Sequence, residues 1–477
     1  MKLLRTGLLG LAGVSMGVAA MAQEAPDGKA LYQQFCAQCH GAELRGGNAQ
    51  SMVDGVWQFG SGSGYVTRNI KHGITDLGMP AYESSMSDAQ IRAVVEYILS
   101  AEKSSGAVKP PPPAEIQTQD YHVKVDAWAE GLEEPWGIAF PDKDTVLITE
   151  KAGRLRVAKN GALQAEPVAG TPEVLGEGQG GLMDVAVDPQ YADNGWVYLA
   201  YSHGLPSVEG KPCAAMTKIV RGKIKGGKWT SEETVFEAPP ETYLSTRVHF
   251  GCRIVFDAKG YLYFSIGERG MQDHAQDLTR PNGKIHRIWP DGRIPEDNPF
   301  IKEAGAIPSI YSLGNRNAQG LAVHPDSQLL WETEHGPMGG DEINVIRAGK
   351  NYGWPLVTWG RNYNGAQVAD SPVKEGLEQP ASFWRPSIAV CGIDFYSGSQ
   401  FPLWNNALLV TALRNEELRV VRVTEDRVMH QEVILKNVGR LRDVGCGPDG
   451  AVYVVANDPG TVFKLSFIKE RSYKALE

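Results

Sequence analysis

A pattern of two short apolar strands around a polar turn recurs six times over the last three-quarters of the chain. The copies are GIAFPDKDTVLIT (137–149), DVAVDPQYADNGWVYLAYS (184–202), RIVFDAKGYLYFSIG (253–267), GLAVHPDSQLLWETE (320–334), GIDFYSGSQFPLWNNALLVTAL (392–413) and DVGCGPDGAVYVVAN (443–457). Val, Ile, Leu and Tyr dominate the strands, and no long helical pattern separates the copies. Six similar hairpins predict a six-bladed β-propeller, an all-β main domain over residues 121–470. A β-sandwich is the alternative.

The loops and the first strand of this region add two expectations. Successive copies lie further apart than the ~40–45 residues of compact propeller repeats, so we expect several blades to carry long, functional loops. The segment YHVKVDAWAEG, before the first copy, has the pattern of a lone strand. We expect this strand to close the ring by joining the last blade.

Residues 23–103 have a helical pattern instead. Ser87, followed by Gln90, forms a capping-box pattern, which predicts the start of a helix. One apolar face follows it, formed by Ile91, Val94, Val95, Ile98 and Leu99. We expect this amphipathic helix to pack against the helix that carries the chemistry of the region, so that residues 23–103 form a small all-α domain.

The hexapeptide FCAQCH in this domain is a haem attachment motif. Cys36 and Cys39 can each add a thiol to a haem vinyl group, and His40 can then bind the iron. Met79, in a Gly-Met-Pro turn, is the expected sixth ligand, and Met86 is the alternative. A bare cysteine pair for zinc or redox exchange would need a second ligand pair or a thioredoxin-like context. The region resembles a small class I cytochrome c with covalent haem c, whose His/Met ligation implies electron transfer.

Residues 1–22 have the pattern of a secretory signal peptide. Lys2 and Arg5 precede an apolar run, which ends in Ala20-Met21-Ala22. A membrane anchor is the competing interpretation, but the run is short and glycine-rich, and no later segment approaches the ~20 apolar residues of a spanning helix. We therefore expect a periplasmic protein without a membrane span.

Residues 104–120 are expected to be a spacer between the two domains. They lack apolar periodicity and contain four consecutive prolines, Pro110 to Pro113. Such a run favours extended polyproline II at ~3.1 Å per residue, which holds two domains apart while keeping them tethered.

Charge excludes one class of partner, and the cysteine count leaves two possibilities. A net charge of -9 argues against a nucleic acid partner. Four cysteines remain after haem attachment, namely Cys213, Cys252, Cys391 and Cys446. In an oxidising compartment they can form two disulfides, in any of three pairings, or remain buried free thiols.

Polar residues gather at one phase of the repeat. Those just before the first strand of successive copies are Trp136, Gln179, His249, Arg316, Asn317, Gln319, Trp384, Arg440 and Arg442. Equivalent positions of propeller blades lie on one face, around the axis, and the second strand of each hairpin returns to that face. Residues 334–342 and Arg414 should therefore join the group. The guanidinium groups of this rim suit a planar anion with several carboxylates.

Four longer motifs carry a family resemblance. They are SLGNRNAQGLAVHP, EHGPMGGDEINVIRAGKNYGWP, VHFGCRIVFDAKGYLYFSIGERG and GRLRDVGCGPDG. They resemble the soluble glucose and aldose sugar dehydrogenases that depend on pyrroloquinoline quinone (PQQ), a flat tricarboxylate. The resemblance implies that His249 is the general base, which takes the hydroxyl proton at the anomeric carbon of the sugar while hydride passes to the quinone. His335, beside Gly336, is the next candidate.

The same resemblance assigns further site residues. It implies PQQ contacts from Gln179, Arg316, Asn317, Arg440 and Arg442, to which the rim adds Gln319 and Arg414. Trp384 matches a residue of the sugar pocket. The carbonyls of Gly336 and Pro337 match ligands of a calcium that also binds PQQ, while Glu342 and Tyr352 match a second, structural calcium site. Calcium accepts irregular oxygen coordination, as such sites require.

The two domains combine into one expected activity. We expect a periplasmic quinohaemoprotein that oxidises an aldose, or a sugar-like aldehyde, to the lactone. Electrons would pass from PQQ to the fused haem and on to a downstream periplasmic cytochrome or respiratory-chain acceptor. A calcium-dependent lactonase, or a ligand-binding propeller, that carries an electron-transfer cytochrome is the alternative, although a hydrolase has no use for haem.

Overall fold

The computed structural model describes residues 25–57, 59, 62–74, 78–106, 111–159, 161–206 and 212–471. The expected signal peptide lies outside these residues. The chain divides into two compact units, one of residues 1–55 and 62–107 and the other of residues 56–61 and 108–477. Of the helices in the described ranges, none is both long and apolar enough to cross a membrane.

The first unit is helical, as predicted. Its helices are α1 Gly28–Phe35, α2 Ala37–His40, α3 Ser63–His72 and α4 Asp88–Ser105. The predicted capping box begins α4, because the Gln90 N–H donates to Ser87 Oγ at 3.3 Å and the Ser87 N–H donates to Gln90 Oε1 at 2.9 Å. Helix α4 packs tightly against α1, since a Cβ atom on Gly28 would lie 2.0 Å from the Ala93 carbonyl oxygen.

The second unit consists of six antiparallel sheets, which confirms the six-bladed β-propeller. The first blade contains β3 Pro135–Ala139, β4 Thr145–Glu150, β5 Arg154–Lys159 and β6 Ala162–Leu163. The second blade contains β7 Leu182–Val187, β8 Val197–Gly204, β9 Ala215–Lys225 and β10 Lys228–Phe236. The third blade contains β11 Ile254–Phe256, β12 Leu262–Ile266, β13 Lys284–Ile288 and β14 Ile310–Leu313. A short helix, α5 Tyr191–Asn194, and the 3-10 turns Pro240–Thr242 and Gln272–Gln276 lie in their loops.

The fourth blade contains β15 Ala318–Val323, β16 Leu330–Glu334, β17 Asp341–Ile346 and β18 Ser382–Trp384. The fifth blade contains β19 Val390–Phe395, β20 Leu408–Ala412, β21 Glu417–Thr424 and β22 Arg427–Lys436. The sixth blade contains β23 Arg440–Cys446, β24 Val452–Asp458, β25 Thr461–Glu470, β2 Tyr121–Ala129 and β1 Glu115–Gln117. A 3-10 turn, Pro402–Trp404, lies in the fifth blade. Each predicted hairpin forms the first two strands of its blade.

The chain closes the ring in the predicted way. Strand β2 pairs with β25, so the start and the end of the propeller share the sixth blade. The structure corrects the predicted spacer at its second end, because β1 pairs with β2 as an edge strand. Ile116 packs against the hydrophobic cluster of this blade, and that burial explains why the segment leaves the spacer.

The blades are joined near the axis, where the first strand of each blade contacts the first strand of the next. Buried hydroxyl groups repeat one contact between blades: Thr149 Oγ1 donates to the Met183 carbonyl (2.6 Å), Ser265 Oγ to Ala318 (3.2 Å) and Thr333 Oγ1 to Cys391 (2.7 Å). These bonds give the buried hydroxyl groups a partner and join neighbouring blades.

One buried ion cluster crosses the axis. Arg253 Nη1 lies 2.9 Å from a carboxylate oxygen of Asp184 in the second blade and 2.9 Å from one of Asp443 in the sixth. Burial raises the pKa of Asp443 to about 7, an effect that Arg253 opposes. The guanidinium also donates to the carbonyls of Gln319 and Arg442 at 2.8 Å each. Arg253 therefore links the second, third, fourth and sixth blades.

The four cysteines outside the haem motif, Cys213, Cys252, Cys391 and Cys446, are free thiols. Cys252 and Cys391 are fully buried. Of the two possibilities left open by the sequence, the structure has the free thiols.

Candidate functional site

His249 lies on the axial rim, in the loop between β10 and β11. Its backbone N–H donates to Gln179 Oε1 at 2.7 Å, and its ring Nδ1 is hydrogen-bonded to Glu268 Oε1. The side chain is 14% exposed, while that of Glu268 is 1% exposed. A carboxylate partner requires a proton on Nδ1, so Nε2 is left as the basic nitrogen of the neutral ring.

Burial favours the neutral form of His249. Burial lowers the pKa of the imidazole, and the nearby Arg316 and Arg269 act in the same direction, while the hydrogen bond that His249 donates to Glu268 raises it. By comparison, burial together with Arg442 and Arg316 lowers the pKa of His335 to about 3. Because a weak base accepts a proton poorly, His249 suits general base catalysis better than His335 does.

Glu268 was not predicted from the sequence. It follows β12, the second strand of the third hairpin, and therefore occupies the repeat phase that places residues on the rim. The repeat phase therefore indicated that Glu268 lies on the rim. The sequence did not indicate that its carboxylate is directed toward an imidazole on another loop.

Three predicted cofactor residues form one hydrogen-bonded network across the axis. Gln319 Nε2 donates to Asn317 Oδ1 at 3.3 Å, and its Oε1 accepts from Arg442 Nη1 at 3.1 Å. Asn317 Oδ1 also accepts the Gly251 N–H at 3.1 Å, which ties the network to the loop of His249. The third, fourth and sixth blades thus contribute to one cradle.

Arg316 faces the loop that contains the predicted calcium ligands. Its Nη1 donates to the carbonyls of His335 at 3.0 Å and of Gly336 at 2.9 Å, and its backbone N–H donates to Glu334 Oε2 at 2.5 Å. The guanidinium also lies 5.2 Å from the ring centre of Trp354. Arg316 therefore joins the cradle to the segment after β16.

Several polar atoms of this cradle have no hydrogen-bond partner among the described residues. They are Arg316 Nε, Arg442 Nε, His335 Nε2 and Glu268 Oε2. Buried polar atoms are normally paired, so these four unpaired atoms are available to a polar ligand. Two unpaired guanidinium donors fit the carboxylates of PQQ.

Three of the four predicted calcium ligands line one cavity. Glu342 and Tyr352 line it together with Arg316 and Gly336. Besides the bond from Arg316 to Gly336, the Pro337 carbonyl accepts from Ser387 Oγ at 3.3 Å. The described part of the chain has no group of three or more His, Cys, Asp or Glu side chains arranged to hold a metal. A calcium ion here would therefore depend on carbonyl oxygens and on ligands from PQQ.

Carboxylates cluster behind this cavity. Asn344 Nδ2 lies 3.0 Å from Glu332 Oε2, 3.4 Å from Glu334 Oε1 and 3.3 Å from Glu342 Oε2. Burial raises the pKa of Glu334 to about 7. Glu332 Oε1 and Asn344 Oδ1 have no partner within the described ranges. Among the described residues, however, these carboxyl groups are not arranged as a metal site.

Three other predicted residues lie apart from the network. Arg440 is exposed at the start of β23. Burial lowers the pKa of Arg442, and the nearby charge of Arg440 lowers it further. Arg414 donates to the Ser387 carbonyl at 3.2 Å. Trp384 is 8% exposed, packs in a hydrophobic cluster of the fourth and fifth blades, and donates through Nε1 to Gln431 at 3.2 Å. The contact of Trp384 with a sugar stays a prediction.

In the first unit, the residues of the haem motif lie on α2 and at its start. Cys36 is half-buried and Cys39 exposed, and His40 Nδ1 lies 3.0 Å from the Gln50 carbonyl oxygen. That bond places the proton on Nδ1 and leaves Nε2 free for iron. Met79 is half-buried in a bridge with Ile74. Met86, the alternative ligand, is 4% exposed.

Known proteins resemble both units. Residues 132–464 match the family Glucose / Sorbosone dehydrogenase, and residues 23–98 match the family Cytochrome C oxidase, cbb3-type, subunit III. The aldose sugar dehydrogenase YliI of Escherichia coli (strain K12) is 43% identical over 351 residues, which cover 72% of this chain and 93% of that protein.

Two solved structures extend the comparison. The soluble aldose sugar dehydrogenase of Escherichia coli in the apo form is 41% identical with a TM-score of 0.68, over 72% of this chain and 100% of that one. The PQQ-bound aldose sugar dehydrogenase of Streptomyces coelicolor is 28% identical with a TM-score of 0.59, over 74% and 99%. The propeller of this chain therefore belongs to the glucose and sorbosone dehydrogenase family, and it follows an N-terminal cytochrome c domain of the cbb3-type subunit III family.

Proposed function

We propose that this protein is a periplasmic, PQQ-dependent aldose sugar dehydrogenase that passes electrons to its own haem c. One observation carries the proposal: His249, oriented by Glu268, lies beside a cradle with unpaired guanidinium donors. When bound, PQQ supplies a two-electron acceptor for the carbon-bound hydrogen of the sugar. The chain supplies the binding of the cofactor, the orientation of the base and the place for the proton.

The residues divide these tasks by chemistry. Arg316 and Arg442 bind carboxylates of the cofactor, with Gln319 and Asn317 fixing their geometry through the network described above. His249 Nε2 accepts the proton of the anomeric hydroxyl group, because Nδ1 is bonded to Glu268. The carboxylate of Glu268 then stabilises the imidazolium that forms. The product of this oxidation is a lactone.

Calcium is part of the proposal. The Gly336 and Pro337 carbonyls, with the cofactor, are proposed to hold one ion, and Glu342 and Tyr352 a second ion beside the carboxylate cluster. A positive charge there would compensate carboxyl groups that burial disfavours in their ionised form. Calcium polarises the oxygen atoms that it binds.

The cytochrome domain gives the electrons an exit. A haem with His40 and Met79 as ligands has no open position, so it transfers single electrons instead of activating oxygen. The tether keeps the haem at high local concentration near the propeller. A downstream periplasmic cytochrome or respiratory-chain acceptor would then reoxidise the haem.

The test is the absorbance of the haem in the full-length protein. Addition of PQQ, calcium and D-glucose should reduce the haem, and omission of any one of the three should prevent reduction. A calcium-dependent lactonase would instead hydrolyse an added lactone without any change at the haem. A ligand-binding propeller would give neither signal, and either result would replace the proposal.

A further inference from the structure

The proposed base sits in a strained loop. His249 has a φ of 52° and Arg269 a φ of 64°. Residues with a side chain rarely adopt this left-handed conformation, and where they do, the surrounding contacts must hold them. The backbone conformation of His249 therefore depends on the contacts around it.

Arg269 supplies those contacts from beneath the loop. Its side chain is completely buried. The Nε atom donates to the Val248 carbonyl at 2.8 Å, and Nη2 donates to the Thr246 carbonyl at 2.6 Å. The guanidinium carbon also lies 3.5 Å from the ring centre of Phe250. These three contacts are with residues on both sides of His249.

Two of the hydrogen bonds act on the same peptide group. The Val248 carbonyl and the His249 N–H belong to one planar unit. Arg269 binds the carbonyl, and Gln179 Oε1 binds the N–H at 2.7 Å. With both ends held, the plane cannot rotate, so the direction in which the His249 side chain leaves the backbone is fixed.

The arrangement differs from that of Arg253, another buried arginine. Arg253 is neutralised by Asp184 and Asp443. Arg269 donates to backbone carbonyls, its third such bond being from Nη1 to Ala215 at 2.6 Å, and burial lowers its pKa to about 9. A buried charge is costly, and the carboxylate of Glu268 offsets that cost only in part. That cost is consistent with a role in the loop instead of in general packing.

We propose that Arg269 is a positioning residue for His249: it clamps the loop of residues 246–250, so that the imidazole reaches both Glu268 and the sugar. Consecutive residues then share one task, since Glu268 orients the ring and Arg269 orients the backbone that carries it. The catalytic part of this inference rests on the proposed function, because it takes His249 as the base.

The test compares Arg269→Lys with a matched control, Arg287→Lys. Arg287 is a 7% exposed arginine of the same blade, which donates to Asn298 Oδ1 at 2.8 Å. With PQQ, calcium, D-glucose and a dye acceptor, Arg269→Lys should lower kcat by about 10- to 100-fold, as expected when a catalytic group is misplaced by a fraction of an ångström. KM and PQQ affinity should change less than about twofold, and the control should leave kcat within about twofold.

A double-mutant cycle separates positioning from general stability. In a His249→Gln background, Arg269→Lys should have no further effect on the residual kcat, because its effect acts through His249. An equal fall in both backgrounds, or a folded Arg269→Lys protein with normal kcat, would overturn the proposal. If Arg269→Lys does not fold, Phe250→Leu replaces it in the same cycle. This variant removes the aromatic ring that contacts the guanidinium but leaves the hydrogen-bond partners of Arg269. An unchanged kcat in Phe250→Leu would again overturn the proposal.

Hydrogen exchange gives a readout without the cofactor. In the apoprotein, amides of residues 246–251 should exchange about tenfold faster in Arg269→Lys than in wild type. In Arg287→Lys these amides should exchange at the wild-type rate. Unaltered exchange in Arg269→Lys would contradict the clamp. This result stands even if D-glucose is not oxidised by the wild type, an outcome that counts against the proposed function alone.

Discussion

Nδ1 of His249 is hydrogen-bonded to a carboxylate oxygen of Glu268, although the whole β11–β12 hairpin separates the two residues in the chain. The bond fixes the tautomer of the ring and leaves Nε2 as its basic nitrogen. It is the relationship from which the proposed chemistry follows.

The first prediction concerns the base itself. His249→Gln should lower turnover of D-glucose by ~100- to 10,000-fold, which is the usual contribution of a positioned base, and should leave PQQ binding and reduction of the haem by dithionite intact. His324→Gln is the control, since that imidazole accepts backbone N–H bonds in a turn of the fourth blade. Near-normal turnover of His249→Gln with PQQ bound would move the assignment to His335.

The second prediction is a pH profile. Turnover should rise with pH through the pKa of His249, because only the neutral ring accepts a proton, and this limb should lie below the ordinary value of 6.5, since burial, Arg316 and Arg269 lower the pKa. Glu268 opposes them, and the buried His335 nearby adds no positive charge at neutral pH.

Glu268→Gln should therefore shift the limb to still lower pH and reduce the plateau by about 10- to 1000-fold, because the imidazolium loses its partner. Glu177→Gln is the matched control: this carboxylate pairs with Arg247 at 2.7 Å and does not contact the imidazole. A limb that moves to higher pH in Glu268→Gln would contradict the assignment.

The third prediction ranks two arginines of the rim. Arg442, within the network, should contribute more to PQQ binding than the exposed Arg440. Loss of one charge-assisted hydrogen bond costs about 1.5–3 kcal/mol, so Arg442→Ala should weaken binding by roughly 10- to 100-fold, and the double variant by more. Calorimetric titration with PQQ in the presence of calcium measures both. An unaltered titration in the double variant would remove these residues from the cofactor site.

The fourth prediction separates the two candidate haem ligands. Met79→Ala should abolish the low-spin spectrum of His/Met ligation and slow reduction of external acceptors, while sugar oxidation with artificial dyes continues. Met86→Ala, in the buried core of the first unit, should cost stability instead, by about 2–5 kcal/mol, and keep the spectrum. The reverse pattern would make Met86 the ligand.

The fifth prediction concerns the ion cluster on the axis. Arg253→Ala leaves Asp184 and Asp443 buried without their partner, and removal of one member of such a cluster costs about 3–5 kcal/mol. Urea unfolding followed by tryptophan fluorescence should show this loss. Arg293→Ala, whose side chain is 75% exposed in its pair with Asp291, should change stability by less than about 1 kcal/mol. Equal midpoints for the two variants would contradict the role given to Arg253.

The sequence alone determined the features that local chemistry fixes. The six hairpins, the capping box before α4 and the haem motif each depend on residues close together in the chain, so their patterns predicted the blades, the helix and the cytochrome c domain directly. The phase of the repeat also brought Gln179, His249 and Arg316 to one rim, because equivalent positions of a propeller share a face.

Only the tertiary structure decided which side chains meet. The segment Glu115–Gln117, within the predicted spacer, forms a strand of the sixth blade because Ile116 packs against the apolar cluster there. Trp384 packs in the hydrophobic cluster between the fourth and fifth blades. The contacts of Glu268 and Arg269 with the loop of His249 depend on a left-handed backbone and on side-chain directions. Such directions result from packing between distant segments, and no periodicity of the sequence records them.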